Sequence, residues 1–236
     1  MYQAGLFYIC NYMSLILNIE TATKNCSVSL AKEGQLIALK ELNNGHYTHG
    51  ENLHVFIASL FSESSYAMAD LDAIAVSKGP GSYTGLRIGV STAKGLCYSL
   101  DKPLLSVPTL AILAASHEAT EDELIIPLLD ARRMEVYSAV FNHKGDQIRE
   151  TQAEIVDEQS FSEYLATNKV FFLGDGAEKC KAVIDHPNAV FLEGHFPSAK
   201  EMAVLSYERY KKSDIEDVAY FEPFYLKDFL ISKPKN

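Results

Sequence analysis

The first half of the chain alternates short apolar runs with polar turns, in an order that predicts strands first and then strands interleaved with helices. Apolar residues recur at helical spacing over 48–64, and an apolar strand beginning at Ala73 passes through a glycine-rich turn directly into a helix. The predicted elements are strands at 15–20, 25–31, 35–42, 73–76 and 104–107, and helices at 48–64, from the glycine turn to 100, and from 109 onward.

The order of elements starts again in the second half of the chain. The segment LNIETATKNCSVSLAKEGQLI (17–37) is similar to LLDARRMEVYSAVFNHKGDQI (128–148), since each contains a strand that ends in an acid, a turn, a strand and a glycine turn. Glu20 and Asp130 occupy the matching strand ends, and a later GDG echoes the GPG of the first half. A repeated order predicts an internal duplication. This order is the plan of the actin-like ATPase superfamily, so we predict an α/β fold of two duplicated actin-like, ribonuclease H-like lobes, each a mixed sheet flanked by helices.

The repeat also divides the chain into regions. Residues 1–12 are predicted to be an extension, either disordered or a non-native start, residues 13–118 the N-terminal lobe, and residues 119–236 the C-terminal lobe. The aromatic-rich tail at 220–229 is too apolar for a free end, so we expect it to pack back, with the first lobe as one choice. The opening residues are too short for a membrane span and lack the basic start of a signal peptide. We therefore expect a cytoplasmic protein without membrane contact.

Composition and charge narrow the class of partner. The 236 residues are 47% hydrophobic and 22% charged, as is usual for a soluble globular protein, and the formal net charge is −10. Neutralisation of phosphates supplies most nucleic-acid affinity, so binding of RNA by this chain alone is disfavoured. The longest basic cluster is Lys211-Lys212. The four cysteines are widely spaced and lack a C-x-x-C pair, which is typical of buried thiols.

The glycine-rich turn within VSKGPGSYTGLRIGVSTAKGL (76–96) supports two interpretations. A strand, a glycine turn and a helix N-terminus together suit an anion, although the spacing differs from the dinucleotide fingerprint and no Lys-Ser/Thr follows. The alternative is a tight turn for close packing, with Ser82 as the N-cap of the helix. A residual anion or nucleotide cleft would contain Glu20, Gly79, Gly81, Ser82, Thr84, Asp130 and Arg132. The two strand-to-strand turns lack glycine, and the bulk of the second one weakens this site.

The helix after the glycine turn carries a stripe of small residues. Gly85, Gly89 and Ala93 recur at i, i+4 and i+8, a spacing that allows another helix to approach closely. This pattern predicts a helix–helix interface, either with a partner protein or with a second copy of the chain. The predicted interface residues are Gly85, Leu86, Arg87, Gly89, Val90, Ala93 and Leu96, with the helix at 48–64 beside them.

Other residues with reactive side chains favour structural roles. His46, His49 and His54 have an unusual spacing, but the last two would lie about 140° apart on a helix, so we interpret them as part of a polar loop and helix start. Ser82 lacks the G-x-S-x-G context of an activated nucleophile. Glu20 and Asp130 either form a carboxylate pair across the cleft or cap their own turns. We assign no catalytic residue and no metal ligand.

Several segments together resemble one known family. IETATKNCSVSL, HGENLHVFIASL, DLDAIAVSKGPGSYTGLRIGVSTAKGL, PLLSVPTLAILA, LLDARRMEVYSAVF and EPFYLKDF are similar to the TsaB (YeaZ) family, over a match from Met13 to about Phe229. The resemblance implies a role in threonylcarbamoyladenosine modification of tRNA, as partner and platform of the related transferase TsaD, joined by the ATP-hydrolysing TsaE. It also implies a homodimer through the surface offered to TsaD, and contact with tRNA only through the complex. No cofactor is firmly implied, and ATP or ADP at the complex interface stays open.

The resemblance offers a check on catalysis. TsaD proteins carry a metal on an H-x-x-x-H motif, and Thr109 and Leu113 stand at the matching positions of this chain. Neither residue is a histidine-type ligand, so we expect no metal here and no catalysis by the chain alone. The alternatives are an independent cleft enzyme, either a nucleotide hydrolase or a glycoprotease-like peptidase, and a self-contained regulatory homodimer.

Overall fold

The computed structural model describes residues 14–227. Within these residues the chain forms ten strands and six α-helices. The elements are β1 (Leu15–Glu20), β2 (Cys26–Lys32), β3 (Gln35–Leu42), α1 (His49–Ser62), β4 (Ala73–Gly79), α2 (Tyr83–Leu100), β5 (Leu104–Pro108), α3 (Thr109–Ala114), β6 (Glu123–Asp130), β7 (Glu135–Phe141), β8 (Gln147–Ile155), α4 (Ser162–Leu165), β9 (Lys169–Leu173), α5 (Ala177–Lys181), β10 (Ala189–Leu192) and α6 (Ala199–Lys211). The predicted extension at 1–12 lies outside the described residues.

The strands form two five-stranded sheets with the same topology. The first sheet has the order β3-β2-β1-β4-β5, and the second, read in the matching direction, has the order β8-β7-β6-β9-β10. In each sheet the first three strands along the chain form antiparallel pairs with their neighbours. The last two strands run parallel to the first strand. Two mixed sheets with one repeated order confirm the prediction of two duplicated actin-like lobes.

The first sheet is covered by helices on both faces. Every residue of β1 is buried, because β1 is the central strand and its alternate side chains point to opposite faces. Leu17 and Ile19 pack with side chains of α1 and α2, whereas Ile16 packs on the opposite face with α6. In the second sheet, α4 and α5 cover one face and α3 covers the other.

The last helix of each repeat covers the sheet of the other repeat. Leu110 and Leu113 of α3, which follows the first sheet in the chain, pack against the second sheet. Ala199 and Met202 of α6, which follows the second sheet, pack against the first. A boundary at 118/119 therefore separates the two sheets, but each lobe is completed by a helix from the other side of that boundary.

The residues after α6 run as a strap from the first lobe to the second; we call residues 214–227 the C-terminal strap. Near its start, Glu216 donates its backbone N–H to the Leu104 carbonyl of β5 at 2.8 Å. Phe224 N–H then donates to the Lys78 carbonyl at 2.7 Å, beside the glycine turn. Lys227 finally forms an ion pair with Glu135 at the start of β7. Among the described residues, no helix is both long and apolar enough to cross a membrane.

Candidate functional site: the cleft between the lobes

The turn between β1 and β2, residues 21–25, packs directly against α2; we call it the first turn. Thr21 Oγ1 donates a hydrogen bond to the Gly85 carbonyl at 2.8 Å. A Cβ atom on Gly85 would overlap the Thr21 carbonyl oxygen, and one on Gly89 would overlap Thr21 Oγ1. The small residues of α2 are therefore required by the close approach of this chain's own first turn.

This packing corrects the predicted interface. Five of its seven residues are buried inside the chain: Gly85, Leu86, Gly89, Val90 and Ala93. For these five, the prediction of a surface open to a partner is wrong, because spacing along a helix identifies a smooth face but not the surface that covers it. Arg87 is exposed and Leu96 is partly exposed, so their assignment stays a prediction.

The outward side of α2 forms a groove with α1. The groove has a volume of about 550 Å³ and contains small or uncharged side chains, apart from Arg87 and His54. Its lining residues are Gly50, His54, Tyr83, Thr84, Arg87, Ile88, Ser91 and Thr92. Thr84, assigned from the sequence to the anion cleft, is exposed and lines this groove instead.

The glycine turn before α2 is covered by other parts of the chain. Gly79 has φ +109°, and a Cβ there would lie 2.6 Å from the Phe224 carbonyl oxygen of the strap. A Cβ on Gly81 would lie 2.5 Å from the Ala22 carbonyl oxygen, to which Ser82 N–H donates at 2.7 Å. Backbone that could cradle an anion is therefore already in contact with the first turn and the strap.

The predicted cap of α2 is present. Ser82 is the N-cap residue, and its hydroxyl accepts a hydrogen bond from Gly85 N–H at 3.3 Å. This confirms the interpretation of Ser82 as a helix cap.

The second lobe repeats the geometry of the glycine turn. Gly174 has φ +108°, close to the value at Gly79, and a Cβ there would overlap the Leu128 carbonyl oxygen. Gly176 N–H donates to the same carbonyl at 3.0 Å, and in the first lobe Ser82 N–H donates to the Ala22 carbonyl at 2.7 Å. The predicted equivalence of the GPG and GDG segments is confirmed.

The two strand-end acids cap their own turns. Glu20 Oε1 accepts a hydrogen bond from Ala22 N–H at 2.5 Å, and Asp130 Oδ1 accepts one from Arg132 N–H at 3.0 Å. Each acid thus binds the backbone two residues further on, so the capping alternative describes both. The two differ in surroundings, because Glu20 is completely buried whereas Asp130 is exposed.

Burial dominates the electrostatics of Glu20. Desolvation raises the pKa of its carboxyl to about 7, against the opposing effects of Ala22 N–H, the Ser77 hydroxyl and Thr21 N–H. The Ser77 hydroxyl is near enough to lower the pKa, yet neither it nor Glu20 Oε2 makes a hydrogen bond of standard geometry. A carboxyl without solvent access cannot touch a substrate, so Glu20 has a structural role.

The turn between β6 and β7 is exposed and strained; we call residues 131–134 the second turn. Arg132 and Arg133 have φ +73° and +53°, left-handed values that cost a side-chain-bearing residue about 1–2 kcal/mol each. Lys179 holds the turn by donating to the carbonyls of Arg133 and Glu135 at 2.8 and 2.6 Å and by pairing with Asp130. Within residues 14–227, neither arginine side chain has a hydrogen bond or an ion pair.

Two cleft residues were not predicted from the sequence. Although Tyr47 is 58% exposed, desolvation raises its pKa, as do the charges of Asp175 and Asp130, while Ser82 and Arg132 lower it. Tyr47 of the first lobe therefore lies opposite groups of the second. Asp175 is exposed, yet desolvation raises its pKa, and it accepts a hydrogen bond from Asp130 N–H at 2.9 Å. The sequence feature that could have identified Asp175 is its position between Gly174 and Gly176.

The three closely spaced histidines do not converge. His46 and His54 are exposed, whereas the buried His49 ring places Nε2 2.7 Å from the Thr23 carbonyl oxygen and fastens α1 to the first turn. Burial lowers the pKa of His49. Across the described part of the chain, no group of three or more His, Cys, Asp or Glu side chains is arranged to hold a metal ion. Thr109 and Leu113 are buried on α3.

Comparison with known proteins places the chain in a family. The family described as "TsaD: tRNA N6-adenosine threonylcarbamoyltransferase" matches residues 44–233. A Bacillus subtilis protein named tRNA threonylcarbamoyladenosine biosynthesis protein TsaB is 32% identical over 226 residues, covering 90% of this chain and 93% of its own length. The Escherichia coli protein of the same name is 29% identical, covering 90% and 94%. The structure of YeaZ from Pseudomonas aeruginosa has a TM-score of 0.75 at 26% identity, covering 91% of this chain and all of that one. The chain belongs to the TsaB (YeaZ) family of tRNA threonylcarbamoyladenosine biosynthesis proteins, within the wider TsaD family.

Proposed function

We propose that this chain is the non-catalytic partner subunit of a TsaD transferase in the N6-threonylcarbamoyladenosine modification of cytoplasmic tRNA. The names of the Bacillus subtilis and Escherichia coli relatives support the pathway. The chain binds TsaD and forms the platform on which the TsaE ATPase joins the complex. TsaD supplies the metal and the transfer chemistry.

One observation carries this proposal: the groove on the outward sides of α1 and α2. Its lining combines exposed small residues, such as Ser91 and Thr84, with the partly buried Ile88, so a partner helix could approach closely and bury apolar area. The tightly packed first turn on the inward side holds α2 in place behind this groove. A rigid pair of helices lowers the cost of ordering a docking surface.

Other partners follow from the same surface. A second copy of the chain would compete with TsaD for the groove, so the homodimer and the complex with TsaD are alternative states. The tRNA is engaged by the assembled complex, consistent with the net charge of −10 on this chain. ATP or ADP would lie at the interface between subunits, because the chain's own glycine turn is covered by Ala22 and Phe224.

The second hypothesis is an independent cleft enzyme, either a nucleotide hydrolase or a glycoprotease-like peptidase. The observation in its favour is the pKa of Glu20 near 7, a value suited to a general base. The complete burial of Glu20 argues against it. Assays of the purified chain for ATP hydrolysis and proteolysis decide the matter, and turnover lost in both Glu20→Gln and Asp130→Asn would establish the enzyme.

Depletion of the chain in its host tests the proposed function. We expect the threonylcarbamoyladenosine content of tRNA, measured by mass spectrometry of nucleosides, to fall upon depletion and to return with the wild-type gene. Purified TsaD and TsaE should likewise modify a tRNA transcript only when this chain is added. Unchanged modification without the chain in both settings would contradict the proposal.

A further inference from the structure

The mouth of the cleft carries a band of tyrosines and cations contributed by both lobes and by the C-terminal strap. All members are at least partly exposed, in a chain whose net charge is −10. We call this surface the cleft-mouth band; it consists of Tyr47, Arg132, Arg133, Tyr137, Tyr225 and Lys227, and it adjoins the groove at Tyr83 and Arg87.

The first half of the band runs from its contact with Tyr83 of the groove to the second lobe. The Arg87 guanidinium lies 5.2 Å from the Tyr83 ring centroid and donates to the Tyr83 hydroxyl at 2.7 Å. The Tyr83 and Tyr225 rings lie 5.1 Å apart, between α2 and the strap. Two residues later, Lys227 pairs with Glu135 at the end of the second turn. Aromatic and cationic groups thus alternate across the boundary between the lobes.

The second half of the band returns to the first lobe. Lys227 and Arg132 both act electrostatically on Tyr137, and Arg132 acts also on Tyr47. The charge of Arg132 therefore acts on one tyrosine from each lobe.

Of the acids that act on the band's tyrosines, Asp130 and Glu135 are paired with lysines, whereas Asp175 and Glu222 form no ion pair among the described residues. Lys179 neutralises Asp130, and Lys227 neutralises Glu135. Among the described residues, Arg132 and Arg133 have no such partner, and their exposed left-handed backbone is a strained conformation of the kind found at functional sites. Two unpaired guanidinium groups at the tip of a turn suit the oxygens of phosphates, which arginine binds in bidentate geometry.

We propose that the cleft-mouth band contacts the tRNA substrate, with Arg132 and Arg133 binding backbone phosphates and with Tyr47, Tyr137 and Tyr225, which are not among the lining residues of the groove, stacking on unpaired bases of a loop. Single-stranded RNA is held by this combination of cations that follow the backbone and aromatic rings that stack on bases. The inference rests on the proposed function, which supplies the tRNA. A chain with net charge −10 contributes this contact within the complex, where TsaD provides further affinity.

The test measures tRNA binding by the complex of full-length chain and TsaD, using fluorescence anisotropy over a series of salt concentrations. Arg132→Glu/Arg133→Glu is compared with Lys211→Glu/Lys212→Glu, an equal charge change at exposed residues at the far end of α6. We expect the arginine variant to weaken binding ~10-fold or more and to reduce the slope of log K against log salt by about 1.4–1.8, the value for two phosphates. The lysine variant should weaken binding less than about threefold.

Two further measurements test the role of the tyrosine rings and the identity of the ligand. Tyr225→Ala should weaken tRNA binding by about 5- to 10-fold while leaving the salt slope unchanged, because stacking involves no counterion release. ATP at millimolar concentration should not displace tRNA. Displacement by ATP would make the band a nucleotide site and would overturn the proposal.

Failure of this inference is distinguishable from failure of the proposed function. If the complex forms but the arginine variant binds tRNA like the lysine control, the inference is wrong and the subunit role stands. If wild-type chain and TsaD do not form a complex, the proposed function fails. The inference, which rests on that function, then falls with it.

Discussion

The first and second turns occupy equivalent positions in a duplicated fold but have opposite surroundings. In the first turn every residue except Lys24 is buried, and Thr21 is bonded to α2. In the second turn Arg132 and Arg133 are exposed in left-handed conformations. The comparison shows that one copy of the duplicated turn has become part of the core, whereas the other has become a charged surface.

The helices behind the turns account for this difference. The first turn is covered by α2, which has 18 residues and carries Gly85 and Gly89 where the turn approaches. The equivalent helix of the second lobe, α5, has only 5 residues. Its Lys179 therefore holds the second turn by hydrogen bonds and an ion pair rather than by packing. The two turns therefore do not form a symmetric, glycine-rich phosphate-binding site in the cleft.

We expect the largest effect from a substitution that disrupts the packing of the first turn against α2. Gly89→Ala places a methyl group against Thr21 Oγ1, so we expect a loss of about 3 kcal/mol in the free energy of unfolding, measured by urea denaturation. In a Thr21→Ala background the same change should cost less than about 1 kcal/mol, because the overlapping atom is gone. Gly95→Ala is the control: it has open space around it and should stabilise α2 by about 0.5–1 kcal/mol. Equal effects at both glycines would refute the packing account.

The next effect tests the burial of the first strand-end acid, Glu20, by pH. The pKa of Glu20 is raised from 4.5 to about 7 in the folded state, so its contribution to stability is present below pH 4.5 and is lost as the pH rises through 7. Between pH 4.5 and pH 8, we expect the free energy of unfolding to fall by about 3 kcal/mol less in the Glu20→Gln variant than in the wild type. Parallel curves for wild type and Glu20→Gln would show that burial does not govern this carboxyl.

A smaller effect concerns the second turn alone. Lys179→Met removes the cation that joins Asp130 to the carbonyls of Arg133 and Glu135, and should cost about 1–2 kcal/mol. Amide hydrogen exchange should speed up at residues 131–135 while the first turn keeps its protection. Uniform acceleration in both turns would mean that the turns are not held independently.

Particular elements show how much of this could be read from the sequence. The strands, the helix pair and the duplication were predictable, because period-2 and period-3.6 patterns and a repeated order survive in a single chain. The spacing of Gly85 and Gly89 indicated that another part of a protein approaches α2 closely there. Spacing alone does not show whether that part is Thr21 of the same chain or a residue of a partner. The left-handed backbone at Arg132 and the position of Tyr47 depend on long-range packing, which local patterns do not encode.

The central claim is that the outward sides of α1 and α2 bind TsaD while their inward sides hold the first turn. Light scattering of the chain mixed with the host's TsaD protein tests it directly, with Ser91→Arg in the groove and Val204→Arg on α6 as the matched exposed control. We predict that Ser91→Arg weakens the complex by ~100-fold or more without changing the unfolding midpoint of the chain, and that Val204→Arg forms the complex like the wild type. A complex of wild-type mass and affinity with Ser91→Arg would contradict the account.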